Sequence, residues 1–427
     1  MKGVNFPRNF IFGTATSAHQ IEGNNFNNDW WQAEQEGKLP YRSNKACDFW
    51  NRYENDIQLM SELGYPSFRF SVEWSRIMPR ENLVDRKALS TYSRIIDLLL
   101  ESRIAPLVTL LHFTLPIWFA KGGGFEKEKN LRYWKRYVRV VAQEFGDRVM
   151  SWGPINEFRG HAESAYLRGV EPPFRKSSES YRKVLAGSFV AHTEAYRIIK
   201  EENPKATVGP ILDTPFVEAV KPSTPRDEKA AEIADWHANG IYIETFRNLR
   251  LPDVLGGRDI ADCVDFVGIN YYSRSRIKSE PSEPYRAAAA PPPAMSEISD
   301  MGSEVYPEGL YSILKRYYEE IGKPILVTEN GISTHEDPQR VRYISRHLLQ
   351  VKRALDEGID VRGYFYWSLI DNFEWRKGFR QRFGLVEVDY ETLLRKPRES
   401  SRIYGRIART GRIEEALLRQ HSLESRG

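Results

Sequence analysis

Two glutamates each follow a short apolar stretch of the sequence. Glu329 lies in residues 324–331 (PILVTENG), and Glu157 ends residues 149–157 (VMSWGPINE). Stretches of this length and composition are typical of buried strands. Because an unpaired carboxylate in a core would cost several kcal/mol, each glutamate must either have a partner or face a functional cleft.

Two carboxyl groups held close together differ in pKa, so that one is ionised and the other protonated near neutral pH. Such a pair is suited to cleaving a glycosidic bond, with one nucleophile and one general acid and base. Two carboxylates could instead bind a divalent metal ion. The neighbouring strand ends offer only His112 as a further ligand, and Arg69 suits pairing with a carboxylate, so glycosidic cleavage is favoured.

Further polar and aromatic residues stand at the ends of predicted strands. They are Gln20, Arg69, His112, Asn156, Asn270, Tyr272 and Trp367. Taken singly, His112 is typical of a hydrogen-bonded core histidine and Trp367 of core packing. Their position beside the two glutamates favours sugar binding, with Trp367 as a stacking platform. We expect Arg69 to pair with Glu73 or another acid and also to support the site.

The elements that must position these residues alternate between strand-like and helix-like segments. Predicted strands lie in residues 9–23, 67–74, 105–113, 149–157, 207–212, 265–272, 324–331 and 361–369. Helical periodicity follows in residues 48–64, 85–103, 130–145, 180–202, 229–249, 307–322, 337–358 and 398–418. Residues 273–302, with four consecutive alanines and three consecutive prolines, are predicted to be a long loop.

Eight apolar strands, each followed by a helix, predict an α/β fold, a closed (β/α)8 TIM barrel. A doubly wound open sheet is less consistent, because polar residues end nearly every strand rather than those at one switch point. We therefore predict one catalytic domain over residues 1–427, with the active site at the C-terminal ends of the strands.

Composition argues against several other classes of protein. The 427 residues carry 62 Lys and Arg against 58 Asp and Glu, and this balance gives no basis for a nucleic-acid partner. Cys47 and Cys263 are too few for a disulfide framework. No signal peptide or membrane span is evident, which favours a cytoplasmic protein. High charge with few Cys and Met favours a thermophilic source. The basic residues from Arg395 onward predict a solvated helix face, with weak membrane-surface association as the alternative.

The chain resembles glycoside hydrolase family 1, the β-glucosidase family, in several segments and over nearly its full length. The matching segments are FIFGTATSAHQIEG (10–23), FRFSVEWSRI (68–77), INE (155–157), GINYYS (268–273), VTENG (327–331), GYFYWSLIDNFEW (363–375) and RFGL (382–385). Their order and spacing suit a barrel, and they resemble a short archaeal or thermophilic member. The resemblance implies a retaining mechanism without a cofactor or metal, on small β-glycosides.

The resemblance also implies a role for each matched residue. Glu329 corresponds to the nucleophile and Glu157 to the acid/base, and Asn156 to the group that binds the sugar 2-hydroxyl. Arg69 and Tyr272 correspond to the groups that orient the nucleophile. The remaining substrate-binding positions are Gln20, His112, Asn270, Tyr272, Trp367 (the platform), Glu374, Trp375 and Phe383. Because Glu157 is not Gln, O-glycosides are expected, and a carboxylate at Glu374 would repel a sugar phosphate.

Two positions depart from the family pattern. Phe158 replaces the usual Pro after the acid/base, and Phe113 replaces the usual Trp after the histidine. We expect both to make the mouth more apolar, favouring hydrophobic aglycones, and Phe158 to change the course of the loop. Three alternatives to a hydrolytic glycosidase stay open: a transglycosylating enzyme, a non-catalytic carbohydrate-binding barrel and a metal-dependent hydrolase.

Overall fold

A computed structural model describes residues 3–222, 224–280 and 283–418. Its central sheet consists of eight parallel barrel strands. They are β1 (Ile11–Ala15), β2 (Ser67–Ser71), β3 (Ala105–Leu111), β4 (Ser151–Ile155), β5 (Thr207–Val208 and Ile211–Asp213), β6 (Val267–Asn270), β7 (Ile325–Asn330) and β8 (Val361–Trp367).

The sheet closes on itself. β1 pairs with β2 on one side and with β8 on the other, and the neighbouring strands follow in chain order. β5 is interrupted at Gly209 and Pro210, so its first half pairs with β4 and its second half with β6. A parallel bridge from Asn156 to Ile211 joins the two sides. The nine hydrogen-bonded segments of the sheet therefore correspond to eight barrel strands, because two of them are the halves of β5. The predicted TIM barrel is confirmed.

Helices cover the outside of the barrel, one after each strand. They are α1 (Phe49–Leu63), α2 (Arg86–Glu101), α3 (Leu131–Phe145), α4 (Ser178–Glu202), α5 (Pro225–Asp235, continued by the π-turn Trp236–Gly240 and Ile241–Asn248), α6 (Pro307–Ile321), α7 (Asp337–Asp356) and α8 (Glu399–Thr410). Shorter helices lie in the loops at Ala18–Ile21, Asp29–Gln35, Trp74–Ile77, Ile117–Lys121 and Phe158–Ala162. Within the described ranges, no helix has both the length and the apolar character of a membrane span.

Local chemistry explains the helix bounds. The Asp85 carboxylate accepts hydrogen bonds from the backbone of Lys87 and Ala88 at the start of α2. α1 ends at Gly64, whose φ of 82° is in the left-handed region that glycine adopts without strain. The apolar stripe of α3, which includes Trp134 and Tyr137, is fully buried against the barrel. Each such side chain contributes about 1.5–3 kcal/mol to folding.

The prediction of a loop over residues 273–302 is confirmed for residues 291–302 and wrong for the part that precedes them. Arg274–Glu280 and Glu283–Ala290 form an antiparallel hairpin, and Arg274–Glu280 also pairs in parallel with Phe216–Ala219. Ile277 of this small sheet packs on Ala230 and Ala231 of α5. The hairpin packs on small alanines of a helix and therefore needs no long apolar run. Without such a run, hydrophobic periodicity did not predict these strands.

The predicted final helix over residues 398–418 is interrupted after α8, and residues 415–418 are helical again. α8 ends at Gly411, which has a φ of 63°, and the chain then forms the strand Arg412–Ile413 against Val4–Asn5. The expectation of a solvated basic face from Arg395 onward is wrong at its start. Arg395 pairs with Asp56 and Arg398 with Asp371, and all four side chains are largely buried. Residues 419–427 lie outside the described residues.

Candidate active site

A cavity of about 260 Å³ opens at the C-terminal ends of the barrel strands. The predicted site residues that line it are Gln20, His112, Asn156, Glu157, Tyr272, Glu329, Trp367, Glu374, Trp375 and Phe383. Arg69 and Asn270 are not in its lining, but each hydrogen-bonds one of the two glutamates. The closed barrel thus brings together residues from opposite ends of the sequence.

Glu329 lies near the end of β7 and is almost fully buried. Arg69 Nη1 lies 2.5 Å from Glu329 Oε1, and the Tyr272 hydroxyl donates a hydrogen bond of 2.6 Å to Oε2. Burial, followed by the charge of Glu329, raises the pKa of Tyr272 well above its usual value, so this phenol stays a donor. A cation and a hydroxyl donor both stabilise an ionised carboxylate.

Arg69 also holds the rest of the site in place. Its guanidinium donates to the Thr109 hydroxyl, the Thr328 carbonyl and the Asn156 side-chain oxygen, the last at 2.6 Å. The acid that Arg69 pairs with is Glu329 and not Glu73, the other partner considered from the sequence. Since Arg69 is completely buried, its position is fixed by the strands β2, β3 and β7 that surround it.

Glu157 has different neighbours. It directly follows Asn156 at the end of β4, has φ and ψ of 45°, and precedes the short helix Phe158–Ala162. The Asn270 side-chain amide donates to Glu157 Oε1 at 2.8 Å. Among the described residues, no Lys or Arg forms an ion pair with Glu157. Burial, then the charges of Glu329 and Asp213, raises the pKa of Glu157 well above its usual value, which favours its protonated form.

The side-chain amides of Asn156 and Asn270 and the imidazole of His112 connect the surroundings of the two glutamates. Asn156 Oδ1 accepts from Arg69 and, at 3.1 Å, from Asn270, while Asn156 Nδ2 lies 3.3 Å from His112 Nε2. Burial, followed by the charge of Arg69, lowers the pKa of His112 well below its usual value. His112 is therefore a neutral imidazole that can exchange hydrogen bonds with a hydroxyl-rich ligand.

Gln20 and Glu374 form the other polar wall. Gln20 Nε2 donates to the Asn372 side chain, to the Phe373 carbonyl and, at 3.2 Å, to Glu374 Oε2. Burial, followed by the charge of Glu329, raises the pKa of Glu374 to about 8. This wall presents an amide and a carboxyl group side by side, a combination suited to binding adjacent sugar hydroxyls.

Aromatic rings form the remaining walls. The Trp367 ring lies 5.8 Å from the His112 ring, nearly parallel to it, and the Trp375 ring stacks on His19 at 5.5 Å. A Cβ atom at Gly331 would lie 1.7 Å from the Trp367 carbonyl oxygen, so only glycine allows β7 and β8 to approach here. The flat indoles offer surfaces on which a pyranose ring can stack.

The two phenylalanines that depart from the family pattern have different surroundings. Phe113 lines the cavity and packs on His161 and Trp375. Phe158 is buried against Phe189 and Tyr242 and does not reach the cavity. The expectation that Phe158 makes the mouth more apolar is therefore wrong, because its ring fills the space between the barrel and helices α4 and α5.

Part of the cavity wall was not predicted from the sequence. These residues are Ser299, Met301, Ser303, Glu304, Val305, Ile332, Ser333 and Tyr343. Ser299 and Met301 belong to the segment predicted as a loop, and Ser303, Glu304 and Val305 directly follow it. Arg274 holds this segment through a two-point ion pair with Glu304. Ile332 and Ser333 directly follow the VTENG segment, and that adjacency is the signal that could have identified them.

Within the ranges that the structure describes, no cluster of three or more His, Cys, Asp or Glu side chains is arranged to hold a metal ion.

The family model "Glycosyl hydrolase family 1" matches residues 2–412 of this chain. Beta-glucosidase A of Thermotoga maritima is 31% identical over 446 residues, with 96% of this chain and 99% of that protein covered. A bifunctional beta-D-glucosidase/beta-D-fucosidase of Bifidobacterium breve is 32% identical, with 94% of this chain and 98% of that protein covered.

Solved structures agree with the sequence relatives. A beta-glycosidase from Pyrococcus horikoshii is 44% identical, with a TM-score of 0.93 and coverage of 98% of both chains. A beta-glucosidase from Thermotoga maritima, in complex with glucoimidazole, is 30% identical, with a TM-score of 0.90, 95% of this chain and 99% of that chain covered. The likeness extends over the whole barrel.

Proposed function

The chain belongs to glycosyl hydrolase family 1, and from this membership we propose that it hydrolyses terminal β-glycosides with Glu329 as nucleophile and Glu157 as acid/base. It is a glycoside hydrolase, and retention of configuration is general for the family. One observation carries the assignment of the two roles: the Glu329 side chain accepts from a guanidinium and a phenol, whereas the Glu157 side chain accepts from the Asn270 amide.

The first step uses both carboxyl groups. The Glu329 carboxylate attacks the anomeric carbon while Glu157 gives its proton to the glycosidic oxygen, and the bond to the aglycone breaks as the bond to Glu329 forms. The Asn156 amide donates to the sugar 2-hydroxyl, a contact that strengthens as charge develops on the ring. The aglycone leaves as an alcohol, and a glycosyl ester of Glu329 remains.

The second step reverses the roles. Glu157, now ionised, takes a proton from a water molecule, and that water attacks the anomeric carbon and releases Glu329. Two displacements restore the original β configuration. We expect the two carboxyl groups to lie about 5–5.5 Å apart, the spacing of retaining enzymes, whereas inverting enzymes need room for a water between them.

For the sugar, we propose β-D-glucosides, with β-galactosides and β-fucosides as related substrates. Curated relatives are named beta-glucosidases, and one acts on both glucosides and fucosides by its name. Gln20 and Glu374 offer an amide and a carboxyl group to adjacent hydroxyls. Because the pKa of Glu374 is raised to about 8, its negative charge would repel a phosphorylated sugar mainly above that pH.

For the aglycone, we propose a preference for hydrophobic O-linked groups. Phe113, Met301, Val305 and Ile332 supply apolar surface at the mouth of the cavity. The same surface would hold an acceptor alcohol in place of water, and this favours transglycosylation as the second candidate activity. A panel of aryl and alkyl β-glycosides, with product analysis at increasing alcohol concentration, separates the two.

Proton NMR of the first-formed sugar tests the central proposal. With an aryl β-glucoside as substrate, we expect β-glucose to appear first and α-glucose only later, at the rate of spontaneous mutarotation. Initial formation of α-glucose would contradict the retaining mechanism. Unchanged turnover in the presence of a chelator is also expected, and a complete loss would favour a metal-dependent hydrolase.

A cytoplasmic location, a thermophilic source, a single domain over residues 1–427 and weak association with membrane surfaces stay predictions from composition and pattern. Residual activity after heating tests for a thermophilic source. Salt-dependent pelleting with lipid vesicles tests for weak association with membrane surfaces.

A further inference from the structure

Asp213 is a largely buried carboxylate that the mechanism above does not use. It ends β5, and its partner in the strand register is Asn270, whose side chain donates to Glu157. The Glu157 backbone N–H donates to the Ile211 carbonyl at 2.8 Å, two residues before Asp213 on the same strand. Two separate strand contacts therefore bring Asp213 to the side of Glu157.

The contacts of Asp213 hold it in one position. Arg159 Nη2 lies against Asp213 Oδ2 in an ion pair, and the Tyr242 hydroxyl donates to Oδ1 at 2.7 Å. The same hydroxyl accepts from the Arg159 backbone N–H at 3.0 Å. Gly160 leaves room for this arrangement, because a Cβ atom there would lie 3.0 Å from Asp213 Oδ2.

The partner of Asp213 belongs to the element that carries Glu157. Arg159 is the second residue of the short helix Phe158–Ala162, which begins directly after Glu157. The ion pair thus ties this helix to β5. Glu157 and Asp213 also line a second cavity of about 390 Å³ beside the hairpin at residues 274–290, so both face the same space.

We propose that Asp213 is a positioning residue for proton transfer by Glu157. Through Arg159 it fixes the helix that follows Glu157, and as a second carboxylate beside Glu157 it favours the protonated form that the first step consumes. This inference rests on the proposed function. The proton passes from Glu157 to the glycosidic oxygen as the aglycone bond breaks, and Asp213 itself gains or loses no proton in the cycle.

Other groups also act on this pair. Among the described residues, the titratable and charged groups around Glu157 include Glu329, Asp213, Arg69, Tyr272 and, through its backbone, His161. Those around Asp213 are Arg159, Tyr242, Glu163, Tyr181 and Tyr317. Arg274, Arg276 and Glu304 line the cavity that Glu157 shares with Asp213. Glu329 is the proposed nucleophile, so Asp213 is the neighbouring carboxylate that a single substitution can neutralise without removing the nucleophile.

The Asp213→Asn variant tests the proposal because it keeps the size and an acceptor for Tyr242 but removes the charge. The basic limb of the pH profile is the fall in kcat/KM above the pH optimum. We expect it to move about one pH unit lower, because Asp213→Asn removes one like charge near Glu157. Above the optimum, an alkyl β-glucoside should lose roughly tenfold in rate, while an aryl glucoside with a good leaving group stays near the unmodified enzyme.

Asp265→Asn is a matched control. Asp265 likewise accepts from a tyrosine hydroxyl, Tyr196, at 2.9 Å and pairs with a cation, Lys200, at 3.0 Å. It lies before β6, at the opposite end of the barrel from Glu157. We expect its basic limb to match that of the unmodified enzyme, so a shift confined to Asp213→Asn supports the proposal.

An unmoved basic limb in Asp213→Asn, with equal losses on both substrates, would assign Asp213 a purely structural role. If that variant does not fold, Tyr242→Phe removes one donor from Asp213 and should move the limb in the same direction by less; no movement would overturn the proposal. Failure of the proposed function would give a different result. In that case the Glu157→Ala variant would keep the basic limb of the pH profile and full activity on the alkyl glucoside.

Discussion

Glu329 and Glu157 are the same chemical group at two neighbouring places, and they differ in what surrounds them. Glu329 lies within a strand, held by a buried guanidinium and a phenol. Glu157 lies just after a strand, held by one amide, with carboxylates on two sides. The comparison teaches that neighbouring charges, rather than the residue type, distinguish the two carboxyl groups, and those around Glu157 favour its protonated form.

The two surroundings also come from different kinds of structure. Of the two residues that hold Glu329, Arg69 lies in the middle of barrel strand β2 and Tyr272 lies two residues after the end of β6. Asp213 and Arg159, which lie beside Glu157, join a strand end to a short helix in a loop. Substitutions on the Glu329 side should therefore affect folding as well as rate, whereas those on the Glu157 side should mainly change the pH profile.

The largest expected effect is that of Glu329→Gly. Because no carboxylate is left to form the glycosyl ester, kcat on aryl β-glucosides should fall at least about 10⁴-fold. Added azide should fill the space left by the side chain and form an α-glycosyl azide, detectable by NMR. Turnover close to that of the unmodified enzyme would remove Glu329 from its assigned role, and azide with the unmodified enzyme is the control.

Glu157→Ala should have the next largest effect, and one that depends on the leaving group. Loss of the proton donor should slow an alkyl glucoside about 10²–10⁴-fold. An aryl glucoside with an acidic phenol should lose much less in the first step. Burst kinetics separate that step from release of the sugar. Equal losses on the two substrates would argue against proton donation by Glu157.

Arg69→Met should reduce both rate and stability, because it leaves Glu329 buried without its cation. We expect kcat to fall roughly 10²-fold and the free energy of unfolding to fall by about 3–5 kcal/mol. Denaturant titration measures the stability. The double variant with Glu329→Gln should recover much of the lost stability, and a double variant no more stable than Arg69→Met would contradict this account of the pair.

Glu374→Gln should have the smallest effect, and its sign depends on pH. The folded protein keeps the Glu374 proton up to about pH 8, whereas the unfolded chain loses it near the ordinary pKa. The folded state thus binds more protons between these values, and the stability of the unmodified protein falls as pH rises through the window.

The Gln variant cannot lose that proton, so its melting temperature relative to the unmodified protein should rise from pH 5 to pH 9. The gain should be modest because part of the Glu374 side chain faces the cavity. The KM for glucosides should rise about tenfold as a hydrogen bond to the sugar weakens. A melting-temperature difference that does not change with pH would contradict the raised pKa.

The strands of the barrel could be predicted because their residues are buried on both faces. Ile325, Leu326 and Val327 are apolar for that reason. The polar residues that follow such runs, including Asn270 and Glu329, then had to meet at one face of the barrel. The joint presence of Glu157, Glu329 and Arg69 at this face followed from topology, whereas Glu374, Trp375 and Phe383 were predicted only through the family resemblance.

Contacts that depend on a loop conformation could not be predicted. Phe158 takes no part in the cavity because Glu157 adopts a left-handed conformation and the next residue begins a buried helix. Met301 and Val305 reach the mouth only because the hairpin and the Arg274 ion pair hold their segment. Apolar periodicity and residue spacing do not predict which loop residues reach the cavity, because a single backbone angle or side-chain contact determines it.

Closure of the barrel by β8 has a consequence for synthesis of the chain. β8 pairs with both β1 and β7, so those two strands keep unsatisfied edges until residue 367 has left the ribosome. At ordinary translation rates β1 waits roughly 20–70 s for this partner. During that interval the nascent polypeptide exposes strand edges that can pair with other chains, and it is then that we expect chaperone demand to be greatest.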